Sequence, residues 1–360
     1  MLVFQLMSLH NLRFSFFVDA WALAQHLHPG CQPEDWQGRL RFLLRALLSH
    51  HAAAPWLRYL RSTPGLQPQL IAFPFIAAKP LSKYMRRGWR VEDRVRCMLD
   101  HYRTLLSSVA GRRILALSRM TGVIATLKGR TQTDYHLVIT CNAAQRREGE
   151  LILELRKNSR RICCLCGSFC RSDRRLVFLI GTMQGANGAD AKDVVREATR
   201  DLHQLRPRDL IMAAAQTIAT LLGAEAILAP TQTRHLAAGR RRPTGIKADF
   251  DSLWTDLGGI CRPDGDYLLP AVTHYRPLES IAAKRRAETL RRYALKQQMA
   301  AEIEAALLSP GPEHQEEGTG SAPIRPPADT RPAMALPAEN FGPPHAAAIA
   351  IGTGQDLSPA

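Results

Sequence analysis

Between Tyr135 and Gly185 the chain passes through four apolar runs of strand length: YHLVIT, GELILELR, RICCLCGSF and RLVFLIGTMQG. Short polar segments containing NAAQRRE, KNSR and RSDR separate them. Runs rich in β-branched and aromatic residues, bounded by turn formers, predict strands. Connections this short join only antiparallel neighbours. An antiparallel meander is therefore the frame on which everything else must pack.

Helical periodicity lies on both sides of that frame. Before it, GRLRFLLRALLSHH sets Leu40, Leu43, Leu44, Leu47 and Leu48 at helical spacing, and RVEDRVRCMLDHYRTLL does the same with Val91, Val95, Met98, Leu99 and Tyr102. Proline-containing stretches, STPGLQPQL and AFPFIAAKPL, break these helices apart. After it come DAKDVVREATRDLHQL and RPRDLIMAAAQTIATLLG, where Pro207 suits a first helical turn and Gly223 a C-terminal cap. EAILAP and DYLLP predict short strands on either side of a helix in DFDSLWTDLGG. A last helix, from about Ser280 to Leu308, carries a stripe of Leu295, Met299, Ile303 and Leu307.

The expected fold is α+β, with a central, mostly antiparallel sheet flanked by helices and a helical N-terminal region. Residues 1–112 form the helical region and 113–308 the α+β core, with one continuous unit as the alternative. Residues 309–360 form a tail whose ten prolines and single aromatic, Phe341, predict disorder.

RRICCLCGSFCRSDRR crowds four of the eight cysteines into Cys163–Cys170. Side chains alternate along a strand, so Cys164, Cys166 and Cys170 share one face and Cys163 the other. Structural zinc needs thiolates converging from two C-x-x-C knuckles, and no second pair exists. The cysteines are read as small apolar packing residues, with no metal site.

The net charge is +16. Residues 310–360 hold six acids against two arginines, so the chain before them carries +20. That excess favours an anionic ligand, an envelope component or a membrane surface. Nucleic acid ranks below these, since no helix-turn-helix, zinc-finger or basic-zipper signature is present. The longest apolar run, Leu210–Ala224, spans fifteen residues, too few to cross a bilayer. RFSFFVDAWALA resembles a leader core, but Arg13 and Asp19 interrupt it. The expected location is cytoplasmic, with peripheral attachment to the inner membrane left open.

SKYMRRGW (Ser82–Trp89), HYR (His101–Arg103), EGELILELR (Glu148–Arg156) and LIGTMQG (Leu179–Gly185) resemble segments of the bacterial VirK/YbjX family. So do LHQLRPRDLI, IKADFDSLWTDLGG and KRRAETLRRYAL, in the family's order, and the likeness runs from about Arg39 to Leu308. The resemblance implies a proteobacterial accessory protein of unknown biochemical activity, linked to virulence, envelope integrity and resistance to antimicrobial peptides. A link to DNA-damage responses is the second alternative it brings. It transfers no catalytic residues.

Whether the protein is an enzyme stays open at this point. The order of meander, loop, helix and short strand is similar to that of acyl-CoA N-acyltransferase folds. In those folds the loop after the fourth strand binds pyrophosphate at a helix N-terminus. QGANGA holds that place here, so Gln184, Gly185 and Gly188 are candidate ligand-binding residues, with acyl-CoA the candidate ligand. Lys247, after the arginine-rich GRRRP loop, is expected on the same face. Glu148 and Glu150 are candidate general bases. Lys284, Arg285, Arg286, Arg291, Arg292 and Lys296 on the last helix, with the GRRRP loop, form a basic surface suited to lipid phosphates. The chain has no G-x-S-x-G elbow, Walker A loop or H-E-x-x-H pair.

Overall fold

Two tight turns set the register of the sheet. Lys157 pairs with Arg160 and Ser172 with Arg175, leaving two-residue loops. Asn158, Asp173 and Arg174 take the left-handed conformation that twisted hairpins of this length require. The computed structural model describes residues 16–309, apart from residues 19, 26, 29 and 239–248. The chain divides into Met1–Glu313 and His314–Ala360, and every described residue belongs to the first unit. Lys247 and the expected tail after Ser309 lie outside the described residues.

The architecture is α+β. The strands are β1 (Gly122–Lys128), β2 (Asp134–Thr140), β3 (Leu151–Lys157), β4 (Arg160–Ser172), β5 (Arg175–Gly185), β6 (Ala226–Pro230), β7 (Ile260–Cys261) and β8 (Asp266–Leu269). They form one sheet in the order β1-β2-β3-β4-β5-β6-β8-β7. Every neighbouring pair is antiparallel except β5 and β6. The four expected runs are β2 to β5, and β6 and β8 fall on EAILAP and DYLLP.

Among the described residues a helical segment over residues 16–18 and 20–25 comes first, followed before the sheet by α1 (Pro33–Leu48), α2 (His50–Ser62), α3 (Gln67–Ala72), α4 (Phe75–Ala78), α5 (Val91–Leu106) and α6 (Val109–Met120). α7 (Ala191–Asp201) and α8 (Pro207–Leu221) join β5 to β6, α9 (Phe250–Asp256) follows, and α10 (Ala283–Leu308) ends the described chain. α8 starts on Pro207 and is buried along most of its length. α10 buries its expected stripe of Leu295, Met299, Ile303 and Leu307. One apolar core runs from Trp56 on α2 through the sheet to Leu307 on α10. Among the described residues, no helix is long and apolar enough to cross a membrane.

α1 forms as its periodicity predicts, but it packs on its other side. Phe42 and Ala46 enter a small satellite core with Phe16, Ala20 and Ala24. Leu40, Leu44, Leu47 and Leu48 stay in water.

Candidate functional site

The parallel neighbours β5 and β6 stay together for only three residue pairs, from Val177–Ala226 to Leu179–Leu228. β6 then ends at Pro230, which has no N–H to offer a ladder. β5 continues to Gly185 with β4 alone beside it. The first carbonyl past the parallel ladder, that of Ile180, is taken by Arg86. Its Nη1 donates to that oxygen at 2.7 Å, and its Nε donates to Asp266 Oδ1 at 3.0 Å. Asp266 is the cross-strand neighbour of Pro230. One buried guanidinium thus bridges both lips of a cleft. Burial lowers the Arg86 pKa, and the Asp266 carboxylate opposes that effect.

The two faces of β4 and β5 present two different cavities. Leu155, Cys163 and Gly185 form one cross-strand row, and Leu153, Leu165 and Met183 the next. Cys163, Met183 and Gly185 wall a cavity of about 640 Å³, within the size range of small-molecule sites. Its rim carries four guanidinium groups: Arg196 and Arg200 on α7, and Arg206 and Arg208 where α8 begins. Arg208 Nη2 lies 2.7 Å from Asp256 Oδ2 and Arg206 Nη1 3.9 Å from it, so one carboxylate is shared between two cations. Arg196 reaches Asp193 at 2.6 Å on the surface. His203 and Gln204, which link α7 to α8, are both left-handed. That conformation costs a non-glycine residue about 1 kcal/mol or more. It bends the link so that Gln204 lines the rim.

On the opposite face, Glu154, Cys164 and Gln184 stand in one row. Glu154 and Gln184 wall a polar cavity of about 510 Å³ with Glu148, Arg156 and Arg161. Arg156 donates twice to Glu154 Oε2, at 2.6 and 2.8 Å. A hydrogen bond with Cys166 lowers the Cys164 pKa, with Arg161 acting in the same sense, while Cys166 is pushed up. Among the described residues, no group of three or more His, Cys, Asp or Glu side chains is placed to hold a metal ion.

The residues singled out from sequence divide between these places. Gln184 and Gly185 line the larger cavity, and the Gln184 amide donates to Glu148 Oε2 at 3.0 Å on the polar side. Glu148 reaches β5 because the segment before β3 crosses the sheet at two glycines. A Cβ on Gly181 would lie 1.8 Å from the Glu148 carbonyl oxygen, and one on Gly149 2.5 Å from the Gly167 nitrogen. Gly188, with φ +105°, lies outside the lining of the larger cavity. Its loop is clamped by Arg160, which holds both Asp190 oxygens at 2.6 Å. Asp190 and Asp193 put carboxylates at the start of α7, where a phosphate would otherwise be favoured. Asp249 caps α9, accepting from Ser252 N at 3.0 Å, and also lines the larger cavity.

Glu150 is buried rather than set at a hairpin end. Lys79 Nζ lies 2.7 Å from Oε1, and the Tyr102 hydroxyl donates to Oε2 at 2.6 Å. Beside it, Tyr84 and Ser168 share a hydrogen bond and Phe169 N donates to His101 Nδ1. SKYMRRGW, HYR, EGELILELR and LIGTMQG therefore meet around the centre of the sheet.

Arg86, His235 and the four rim arginines were not singled out from sequence. The signal for the latter was available: Arg196 and Arg200 are one turn apart on α7, and RPR follows. His235 stacks on Phe250 at 4.2 Å and accepts from Ala237 N at Nδ1, which leaves the proton on Nε2. Burial, with Arg86 nearby, pushes its pKa down to about 4. Arg86 Nη2 and His235 Nε2 are buried donors without a hydrogen-bond partner among the described residues.

Comparison with known proteins agrees with this extent. A family model described as "Protein of unknown function (DUF535)" matches residues 32–305. "Uncharacterized protein YbjX" of Escherichia coli strain K12 is 27% identical over 263 residues, covering 71% of this chain and 79% of the relative. "Membrane protein LapB" of Mannheimia haemolytica is 26% identical over 221 residues, 61% of this chain and 95% of the relative. An uncharacterized protein of Haemophilus influenzae is 25% identical over 233 residues, 57% of this chain and 77% of the relative.

Proposed function

Because the chain belongs to the DUF535 family, whose function is unknown, we propose its activity from the cleft itself: transfer of an acyl group from a phosphate-bearing thioester, of the acyl-CoA class, to an amine or hydroxyl acceptor. The observation that carries this reading is the parting of β5 and β6 after three residue pairs, with a cavity of apolar wall and arginine rim against the end of β5 beyond the parting. We read the sheet as acyltransferase-like on the same ground, a meander followed by one parallel pair that opens. Arg196, Arg200, Arg206 and Arg208 are suited to phosphates, which guanidinium groups bind by paired N–H donors. The apolar wall of Cys163 and Met183 suits the pantetheine and acyl chain.

Glu148, held by Gln184, which lines both cavities, is the base in this scheme. It takes the proton that the acceptor loses as nitrogen or oxygen bonds to the carbonyl carbon. The carbon–sulfur bond breaks, and the thiolate leaves and takes a proton from solvent. The test is thiol release from CoA thioesters of increasing chain length with ethanolamine as acceptor. Glu148→Gln is expected to slow release by about a hundredfold or more while CoA binding is kept. Equal rates in the two proteins would remove Glu148 from this role.

A second reading, an accessory protein of the cell envelope serving stress resistance or virulence, is favoured by the name of the Mannheimia relative, a membrane protein. It concerns where the protein acts and is compatible with the chemistry above.

A further inference from the structure

We infer that α1 and the basic cavity beside it form a docking surface for an anionic lipid bilayer. The inference stands apart from the cleft and does not rest on the reading given for it. α1 turns Phe42 and Ala46 inward and leaves Trp36, Leu40, Leu44, Leu47 and Leu48 between 50% and 77% exposed. At helical spacing these five occupy one side of the helix. The helical segment packed on α1 through Phe16 exposes apolar groups as well, Phe17, Val18 and Trp21. Water-facing apolar stripes of this kind mark an interaction site.

Charge identifies the partner. Arg41 and Arg45 flank the stripe on α1, and with His28, Arg146 and Arg147 they line a cavity of about 350 Å³ that no carboxylate lines. An amphipathic helix with tryptophan and leucine on one face and arginine at its edge lies in a bilayer interface without spanning it. A second copy of the chain would set the same cations against each other across a two-fold axis. Residues 1–15 hold no acidic residue, so they offer no charge to match Arg41 and Arg45. An anionic membrane matches both stripe and arginines.

The experiment is flotation of the full chain with vesicles of phosphatidylcholine, alone or mixed with phosphatidylglycerol, at low and high salt. Expected is flotation with the mixed vesicles alone, weakened by salt. Arg41→Ala should weaken partition roughly fivefold, and adding Arg45→Ala should multiply that loss. Leu40→Glu with Leu44→Glu should abolish flotation without moving the thermal transition, since both side chains are already in water. No flotation with anionic vesicles would overturn the inference, as would flotation unchanged in these variants. A dimer in gel filtration that dissociates in Leu40→Glu/Leu44→Glu would assign the stripe to a second copy instead.

Discussion

Lys79 and Glu150 lie 2.7 Å apart with both side chains almost wholly out of water, and they tie the helical region to the sheet. Two such charges offset each other's desolvation only while both are present. Lys79→Ala is therefore expected to cost about 3–5 kcal/mol in urea unfolding, whereas Lys79→Met with Glu150→Leu should recover most of the loss. A loss below about 1 kcal/mol for the single change would mean that the pair is not sealed from water. The buried histidines add a pH dependence of known sign. Burial, with Lys79 adding to it, lowers the His101 pKa to about 3, and burial with Arg86 lowers His235 to about 4. In the unfolded chain both titrate near 6.5. Between pH 6.5 and the depressed values the unfolded chain binds protons that the folded chain refuses, so stability falls with pH across that window. Calorimetry should show a flatter decline between pH 6.5 and 4 for His235→Gln than for the parent; parallel curves would contradict the assignment. Little of this was legible in sequence. Glu150 announced itself as an acid near a turn, but Lys79 is 71 residues away, and periodicity carries no information over that distance.

At the scale of elements the meander was legible, because runs of β-branched residues and two-residue turns are local signals. β1 was not. GVIATLK follows α6 directly, with Thr121 at φ 54° as the hinge, and no proline or polar cluster marks the change. β7, two residues long, has no pattern to read. α1 was legible as a helix, but not the side it would bury, since leucine occupies both. The QGANGA segment does run from the end of β5 to the start of α7. Asp190, clamped by Arg160, occupies the helix start, while the arginines stand on α7 and at the start of α8. The glycine crossing that brings Glu148 to β5 is a backbone contact, and Gly181→Ala would force the two strands of chain apart. A loss of about 3 kcal/mol is expected in thermal unfolding. An unperturbed transition would show that the segment can shift freely. Removing the α9 cap by Asp249→Ala should cost about 1 kcal/mol.

For the whole molecule, the net charge of +16 was a correct pointer to cationic surfaces but not to their positions. The structure collects arginines in two separate places, at the rim of the cleft and beside α1. The strand order puts the parallel pair β5 and β6 near the middle of the sheet, and the pair parts after three residue pairs. Of the larger cavity's lining, Gln184 and Gly185 were singled out from sequence and the arginines were not, since α7 and α8 fold back on β5 only in three dimensions. Calorimetric titration with CoA tests the cleft most directly. One molecule is expected to bind per chain, with pantetheine, which lacks the phosphates, far weaker. Arg200→Glu with Arg208→Glu should weaken CoA binding at least tenfold, about 1.4 kcal/mol, without changing the fold. No binding of CoA, or binding undiminished in that variant, would contradict the account.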